Sequence, residues 1–328
     1  MNFINKKDKI FIAGHNGMVG SSIKRCFKKN GYYNLLTASK ESLNLMHSEN
    51  VSKWFQKNKP EIVIIAAAKV GGIEANSKFP YDFILENLKI QTNIIENAWK
   101  YNAKKLLFLG SSCIYPKFSV QPIKEESLLA GQLETTNEFY AIAKIAGLKL
   151  CSALRKQHNF DTISLMPTNL YGPGDNYNLQ SSHVLPAFIN RFYNARIREE
   201  KFVTCWGSGN PKREFLHVDD LARASVFILE NFSFIQNNYP KDNFPDFLNV
   251  GTGKDISIKD LAYLVAKKIG YSGKILWDSS KPDGTPRKLL DISRLSSLGW
   301  KPLISLEDGI EDTINFYLED LKMKKVRN

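Results

Sequence analysis

Cysteine is scarce in this chain. The four present, Cys26, Cys113, Cys151 and Cys205, lie far apart with no CxxC spacing. That argues against a disulfide framework or a structural metal and suits a reducing, cytoplasmic location. No run approaches the ~18 consecutive apolar residues that a membrane-spanning helix needs. The opening MNFINKKDKI carries no apolar stretch of the signal-peptide kind. No membrane partner and no bound metal are therefore expected. Internal repeats and low-complexity segments are missing too. Basic residues outnumber acidic ones, 45 to 33, for a formal charge of +12. The lysines are nevertheless scattered, without an arginine-rich block or aromatic residues spaced to stack on bases, so no nucleic acid is expected. An anionic small substrate and general surface charge account for the balance. The tail from Lys322 to Asn328 reads as a solvated end.

What is present is the composition of an ordinary folded protein, 43% hydrophobic and 24% charged, in a chain long enough for two lobes. KIFIA (9–13), EIVIIAAA (61–68) and KKLLFLGSS (104–112) are apolar runs without alternation, as expected of strands covered on both faces. A helix is predicted from about Met18 to Asn30. YDFILENLKIQTNIIENAWKYN (81–102) has apolar residues three and four apart, an amphipathic helix. DTISLMPTNLYGP (161–173) is a further strand that ends in a turn. Strand and helix in alternation imply a Rossmann-type α/β fold, a doubly wound parallel sheet with right-handed crossovers.

The texture changes after about Tyr171, where glycine, proline and aromatic residues become frequent. HVDDLARASVFILEN and FLNVG then read as a helix and strand of the first type. The expected division is therefore a dinucleotide-binding domain of residues 1–170 and 217–252 and a smaller, discontinuous α/β substrate domain of residues 171–216 and 253–328.

Gly14, Gly17 and Gly20 form GxxGxxG between the first strand and first helix. Glycines there permit a tight turn and close approach of the backbone to a pyrophosphate, whose charge then rests on the helix N-terminus. Folds of this type that take NAD usually carry an acid about 20 residues on, to bond the ribose 2′-hydroxyl. The second strand here ends in LLTASKESLNL, with Thr37, Ser39 and Lys40 at that point. A lysine with hydroxyl neighbours suits a 2′-phosphate, so NADP is the expected cofactor, although Glu41 weakens the case.

NEFYAIAKIAGLKL places Tyr140 and Lys144 four residues apart, one turn along the same helix face. A phenol is a poor acid at neutral pH unless something stabilises its anion. A neighbouring ammonium does so, and Ser111, at a strand end, can hold a reacting carbonyl. Together these groups suit hydride transfer between a nicotinamide and a carbonyl carbon, with Tyr140 handling the proton. Cys113, in GSSCIYP, has two readings on this evidence alone, an apolar filler or a proton carrier beside the substrate. His183 reads by itself as loop surface.

The glycine loop, Ser111 and the Tyr140–Lys144 pair resemble the extended short-chain dehydrogenase/reductases. AAAKVGGI (66–73), GSSCIYP (110–116), PTNLYGP (167–173), SHVLPAFINRF (182–192), WGSG with REFLHVDD (206–220) and DGTPRKLLD (283–291) are similar to the branch that acts on GDP-4-dehydro-6-deoxy-D-mannose as NADPH-dependent 3,5-epimerase-4-reductases. The likeness runs from about residue 9 to residue 318. It implies a GDP-sugar substrate, a homodimer, and a base and acid at Cys113 and His183 that invert carbons 3 and 5, both acidified by the ketone at carbon 4. Ser111, Tyr140 and Lys144 then serve the reduction.

The resemblance also implies a cofactor site made of Gly14, His15, Asn16, Gly17, Met18, Val19, Gly20 and Lys40. Leu109, Gly110, Ser111 and Ser112 join it from a strand end, with Lys144, Pro167, Thr168, Asn169, Leu170 and His183. It puts Arg213 on the diphosphate, Arg191 and Trp206 in the nucleotide-sugar pocket, and Asp283 and Lys288 at its rim. Two positions depart from that pattern. Asn16 stands where arginine is common, leaving Lys40 to hold a 2′-phosphate, and His47 stands where an aspartate near the adenine is frequent. Competing readings are a 4-epimerase or 4,6-dehydratase of the same fold, which keeps its NAD, and a catalytically inactive NADP sensor. The intact Ser111, Tyr140 and Lys144 speak against the sensor.

Overall fold

The computed structural model describes residues 2–179, 181–233, 246–281 and 283–327. The chain begins with β1 (Ile10–Ala13), α1 (Met18–Lys29), β2 (Leu35–Leu36), α2 (Ser48–Asn58) and β3 (Ile62–Ile65). It continues through α3 (Ile73–Lys78), α4 (Pro80–Lys100), β4 (Lys105–Leu109), α5 (Glu138–His158), β5 (Asp161–Pro167) and β6 (Asn169–Tyr171). Then come α6 (Val184–Ile197), β7 (Phe202–Trp206), β8 (Lys212–His217), α7 (Val218–Asn231) and β9 (Phe247–Val250). The last part holds β10 (Asp255–Ser257), α8 (Ile258–Ile269), β11 (Lys274–Asp278), β12 (Arg287–Lys288), α9 (Ser293–Ser297) and α10 (Leu306–Met323).

Six strands form one parallel sheet in the order β2-β1-β3-β4-β5-β9. The absence of alternation in these strands has a direct cause. Successive residues feed two different cores: Ile10, Ile12, Ile62, Ile64 and Leu107 face the α1/α7 side. Phe11, Ala13, Val63, Ile65 and Phe108 face the α2/α4/α5 side. Each fully buried side chain of this size contributes about 1.5–3 kcal/mol, so both faces are predominantly apolar. The strand order reverses at β1, with β2 on one side and β3 on the other. In open sheets of this kind ligands bind at that switch, beyond the C-terminal strand ends.

As expected from the sequence, α7 and β9 return to the large sheet: β9 pairs with β5 through Ser164↔Phe247 to Pro167↔Val250. A third core gathers Phe188, Phe192, Val203, Leu261, Val265, Ile310 and Tyr317 from α6, β7, α8 and α10. Its strands form a small sheet, β10-β8-β12 with β6 also on β8, and the parallel pair β11-β7. Cys151 and Cys205 are buried and Cys26 is half-buried against the first core; all four thiols are free. No described helix is long and apolar enough to cross a membrane.

Candidate active site

The loop from β1 into α1 is built by tight approach. Gly14 has φ +85°, and a side chain there would lie 2.7 Å from the Ala67 backbone. A side chain at Gly20 would land on the Gly14 carbonyl, so the first turn of α1 can rest on the loop only because that position is glycine. Helix α1 starts at Gly17 with no side-chain cap and no acidic residue in its first turn. Its leading N–H groups are thus left for an anion. The Nδ1 of His15 is buried in the same loop without a partner. Capless helix, glycine cradle and orphaned imidazole together fit the pyrophosphate of a dinucleotide. Lys40 and His47 are exposed beyond the end of β2, and Asn16 contributes no charge to the loop.

Leu109, Gly110, Ser111 and Ser112 carry β4 into the site. The Gly110 N–H donates to Leu165 O at 2.9 Å, which locks this strand end to β5. Ser111 Oγ accepts the Cys113 N–H at 3.2 Å and starts a short 3-10 turn, Ser112–Ile114. Pro167, Thr168, Asn169 and Leu170 lie alongside at the β5–β6 junction. Thr168 Oγ1 and Asn169 Nδ2 both donate to Glu214 O, at 3.2 and 2.8 Å.

Helix α5 brings Tyr140 and Lys144 to the same place. Ser111 hydrogen-bonds the Tyr140 oxygen, but burial dominates and pushes the phenol pKa well above its ordinary value, with the nearby Cys113 adding to the rise. The expected net lowering of this pKa is overturned by burial; an ammonium one turn away still favours the phenolate that forms once the proton has left. Lys144 Nζ donates to Leu109 O at 2.9 Å and stands 5.8 Å from the Tyr140 ring centre. Burial lowers the lysine itself from 10.5 to about 8, because its charge is costly away from water.

Cys113 meets residues from across the chain. Asn137 Nδ2 donates to its Sγ at 3.4 Å, and Lys288 Nζ stands 3.9 Å from the same sulfur. Lys288, expected at the rim of the nucleotide-sugar pocket, has its ammonium against the thiol. Register explains the position. Lys288 on β12 pairs with Arg213 on β8, so the two cations lie side by side. Two adjacent like charges favour an anion between or beside them. Burial holds the Arg213 pKa below its usual value, while Cys113, Glu134 and Asp283 act in the opposite direction.

His183 ends the loop before α6 and is open to solvent at its surface. The loop is tied down where Gly72 N–H donates to Ser181 O at 2.9 Å. Protein mass around the ring, and then the Lys288 charge, hold the imidazole pKa below its ordinary value. Lys288 thus links the two groups expected to handle protons. Asp283 accepts the Ser208 N–H and hydroxyl, both at 2.7 Å, and so fixes the turn after β7. Arg191 Nη1 donates to Thr204 O at 2.8 Å. Trp206 is exposed beneath Lys281, 5.6 Å from its ring centre.

Three neighbours of the site escaped sequence reading. Glu214 is fully buried and its carboxylate accepts the N–H groups of Thr252, Gly253 and Leu290 at 2.6, 2.7 and 3.0 Å, joining both sheets behind the site. Glu134 pairs with Lys117 at 3.0 Å and accepts from Thr285 at 3.3 Å. Asn137 precedes α5 and looks from sequence like a plain helix cap. Among the described residues no group of three or more His, Cys, Asp or Glu is placed to hold a metal.

A sheet that reverses at β1, a glycine cradle beneath an uncapped helix and a Ser–Tyr–Lys set at the strand ends define a dinucleotide-dependent enzyme that acts on carbonyl or carbinol carbons. Residues 10–251 match the NAD dependent epimerase/dehydratase family, and the chain belongs to that family. It is 52% identical over 317 residues to GDP-L-fucose synthase 1 of Arabidopsis thaliana, covering 97% of this chain and 95% of that protein. Among solved structures it is similar to a GDP-6-OMe-4-keto-L-xylo-heptose reductase from C. jejuni, with a TM-score of 0.92 at 35% identity over 97% of this chain and 99% of that one. A GDP-L-fucose synthetase from Naegleria fowleri bound to NADP gives a TM-score of 0.86 at 25% identity, with 98% and 97% coverage.

Proposed function

We propose that this enzyme converts GDP-4-dehydro-6-deoxy-D-mannose to GDP-L-fucose, by epimerisation at carbons 3 and 5 followed by NADPH-dependent reduction at carbon 4. The observation that carries the reading is that two sets of proton-handling groups are linked through Cys113 and Lys288. Cys113 lies close enough to Tyr140 to raise its pKa, and Lys288 touches both the Cys113 sulfur and the electrostatics of His183. A reductase alone has no use for the thiol and imidazole.

Cys113 takes a proton from the carbon next to the ketone, and the electron pair moves onto the carbonyl oxygen. His183 returns a proton from the other face. NADPH, when bound, supplies hydride to carbon 4. Tyr140 then gives its proton to the developing alkoxide, with Ser111 aligning the oxygen and Lys144 supporting the phenolate. The glycine loop, Lys40, the β4 end and residues 167–170 hold the dinucleotide. Arg213 meets the diphosphate, while Arg191, Trp206 and Asp283 line the path to the GDP end.

Residues 1–170 and 217–252 form the cofactor domain, and residues 171–216 and 253–328 the substrate domain. The exposed apolar side chains of Tyr81, Phe139 and Ile142 on α4 and α5 suit a homodimer, which light scattering would test. The location is cytoplasmic. Incubation with the GDP-keto sugar and NADPH, followed by identification of the sugar, tests the whole reading. The likeness to a GDP-heptose reductase favours one alternative, reduction at carbon 4 without epimerisation. A product that keeps its configuration at carbons 3 and 5 would establish it.

Lys40→Ala should raise KM for NADPH on the order of tenfold while leaving KM for NADH nearly unchanged, because only the 2′-phosphate needs the ammonium. Equal effects on both cofactors would show that the phosphate is read elsewhere. A second expectation concerns pH. The buried ammonium of Lys144 is charged below about 8 and loses its proton as pH rises through that value. Support for the Tyr140 phenolate fades over the same range, so kcat/KM for reduction should fall above about 8. Lys144→Met should lack this limb; a limb that persists there belongs to another group. The sign for stability is the reverse. Burying the charged lysine costs most below about 8, and the cost is relieved between about 8 and 10.5.

A further inference from the structure

Asn137 occupies the N-cap position of α5, where asparagine ordinarily satisfies the first helical N–H groups. Here its side chain makes no cap bond. Its Nδ2 donates instead to Cys113 Sγ at 3.4 Å, and its Oδ1 is buried without a partner. A buried acceptor left unpaired is costly and calls for a reason.

The alternative rotamer supplies that reason. Turning the amide over would set Oδ1 against the sulfur. That arrangement is favourable only while a thiol proton lies between them, whereas Nδ2–H against sulfur favours the anion. The remaining groups facing Cys113 agree. Lys288 on β12 stands 3.9 Å away, and Arg213 on β8 is close enough to feel the sulfur charge. Tyr140 on α5 faces it as a phenol that burial keeps protonated.

We infer that Asn137 is a positioning residue for epimerisation: together with Lys288 it holds the Cys113 sulfur at the place where it removes the carbon-bound proton. The inference rests on the reading of the preceding subsection. In the step itself the C–H bond breaks, its electron pair moves onto the oxygen at carbon 4, and an S–H bond forms. The Asn137 N–H then weakens its hold as the sulfur becomes neutral.

Asn137→Asp and Asn137→Ser test this, since both residues cap helices well and α5 should persist. Serine covers the case in which a buried carboxylate unfolds the protein. Two quantities are read. One is the pH midpoint of Cys113 alkylation by iodoacetamide, followed by mass spectrometry on the peptide that holds it. The other is deuterium wash-in from solvent at carbons 3 and 5 of the GDP-keto sugar. The expected results are an upward move of the midpoint by about one unit and a wash-in rate lower on the order of 30-fold. The move should be larger for Asp, whose charge repels the thiolate. A folded variant that matches wild type in either quantity overturns the inference. Wild-type protein without any wash-in would sink the GDP-sugar reading instead, and the alkylation midpoint alone would then decide the role of Asn137.

Discussion

Cys113→Ser is expected to lose solvent-deuterium exchange at carbons 3 and 5 by at least about 100-fold, the range a positioned base supplies. A thiol is acidic enough to serve as a base in its ionised form, and a serine hydroxyl is not. The cations lie where they help the sulfur most, with Lys288 Nζ at 3.9 Å and Arg213 paired beside it. Serine keeps the size and the backbone, and Ser111 can still accept the N–H at position 113. A loss of exchange in this variant is therefore a loss of chemistry and not of fold. The measurement is wash-in by NMR with cofactor omitted. Wash-in at the wild-type rate would remove Cys113 from the mechanism.

Tyr140→Phe is expected to do the opposite. Exchange persists, because Cys113 and His183 remain, while NADPH oxidation falls by about 100- to 10,000-fold. The structure sharpens the reason. Burial raises the Tyr140 pKa well above its ordinary value, and the Ser111 hydrogen bond only partly offsets it. The phenol thus keeps its proton at every working pH and releases it only to an oxygen that is gaining charge. Phenylalanine preserves the edge-on packing against Phe83, whose ring centre is 6.4 Å away. Exchange and oxidation measured on the same preparations separate the two roles. Joint failure of both steps in both variants would leave the proposed division of labour without support.

The two variants divide along a line already visible in the sequence. Tyr140 and Lys144 are one helical turn apart, so their proximity is local and legible. Ser111 follows a strand run that could be read directly, and the glycine loop sits between a strand and a helix that both formed as expected. Cys113 was readable as a proton carrier only through resemblance. Nothing within ten residues of it reveals the amide and ammonium that surround the sulfur. Lys288 lies 175 positions away and Asn137 24.

Asn137 was hidden for a different reason. Its position fits a helix cap so well that the pattern explains it away, and only the direction of its side chain shows otherwise. Glu214 was hidden between Arg213 and Phe215 in a short strand where no period marks an inward carboxylate. The rise in the Tyr140 pKa was unreadable because it depends on how much water the finished cleft excludes, a property of packing and not of spacing.

By itself the sequence determined the parallel sheet, the dinucleotide loop, the return of α7 and β9, and the Ser–Tyr–Lys set. Most of these rest on periodicity or turn chemistry within short stretches, where chain geometry leaves few choices. Only the tertiary structure decided what surrounds the thiol and the imidazole. The pairing of β12 with β8 sets Lys288 beside Arg213 and brings its ammonium to the Cys113 sulfur. Such a meeting depends on strand register between distant segments, and no local pattern encodes it.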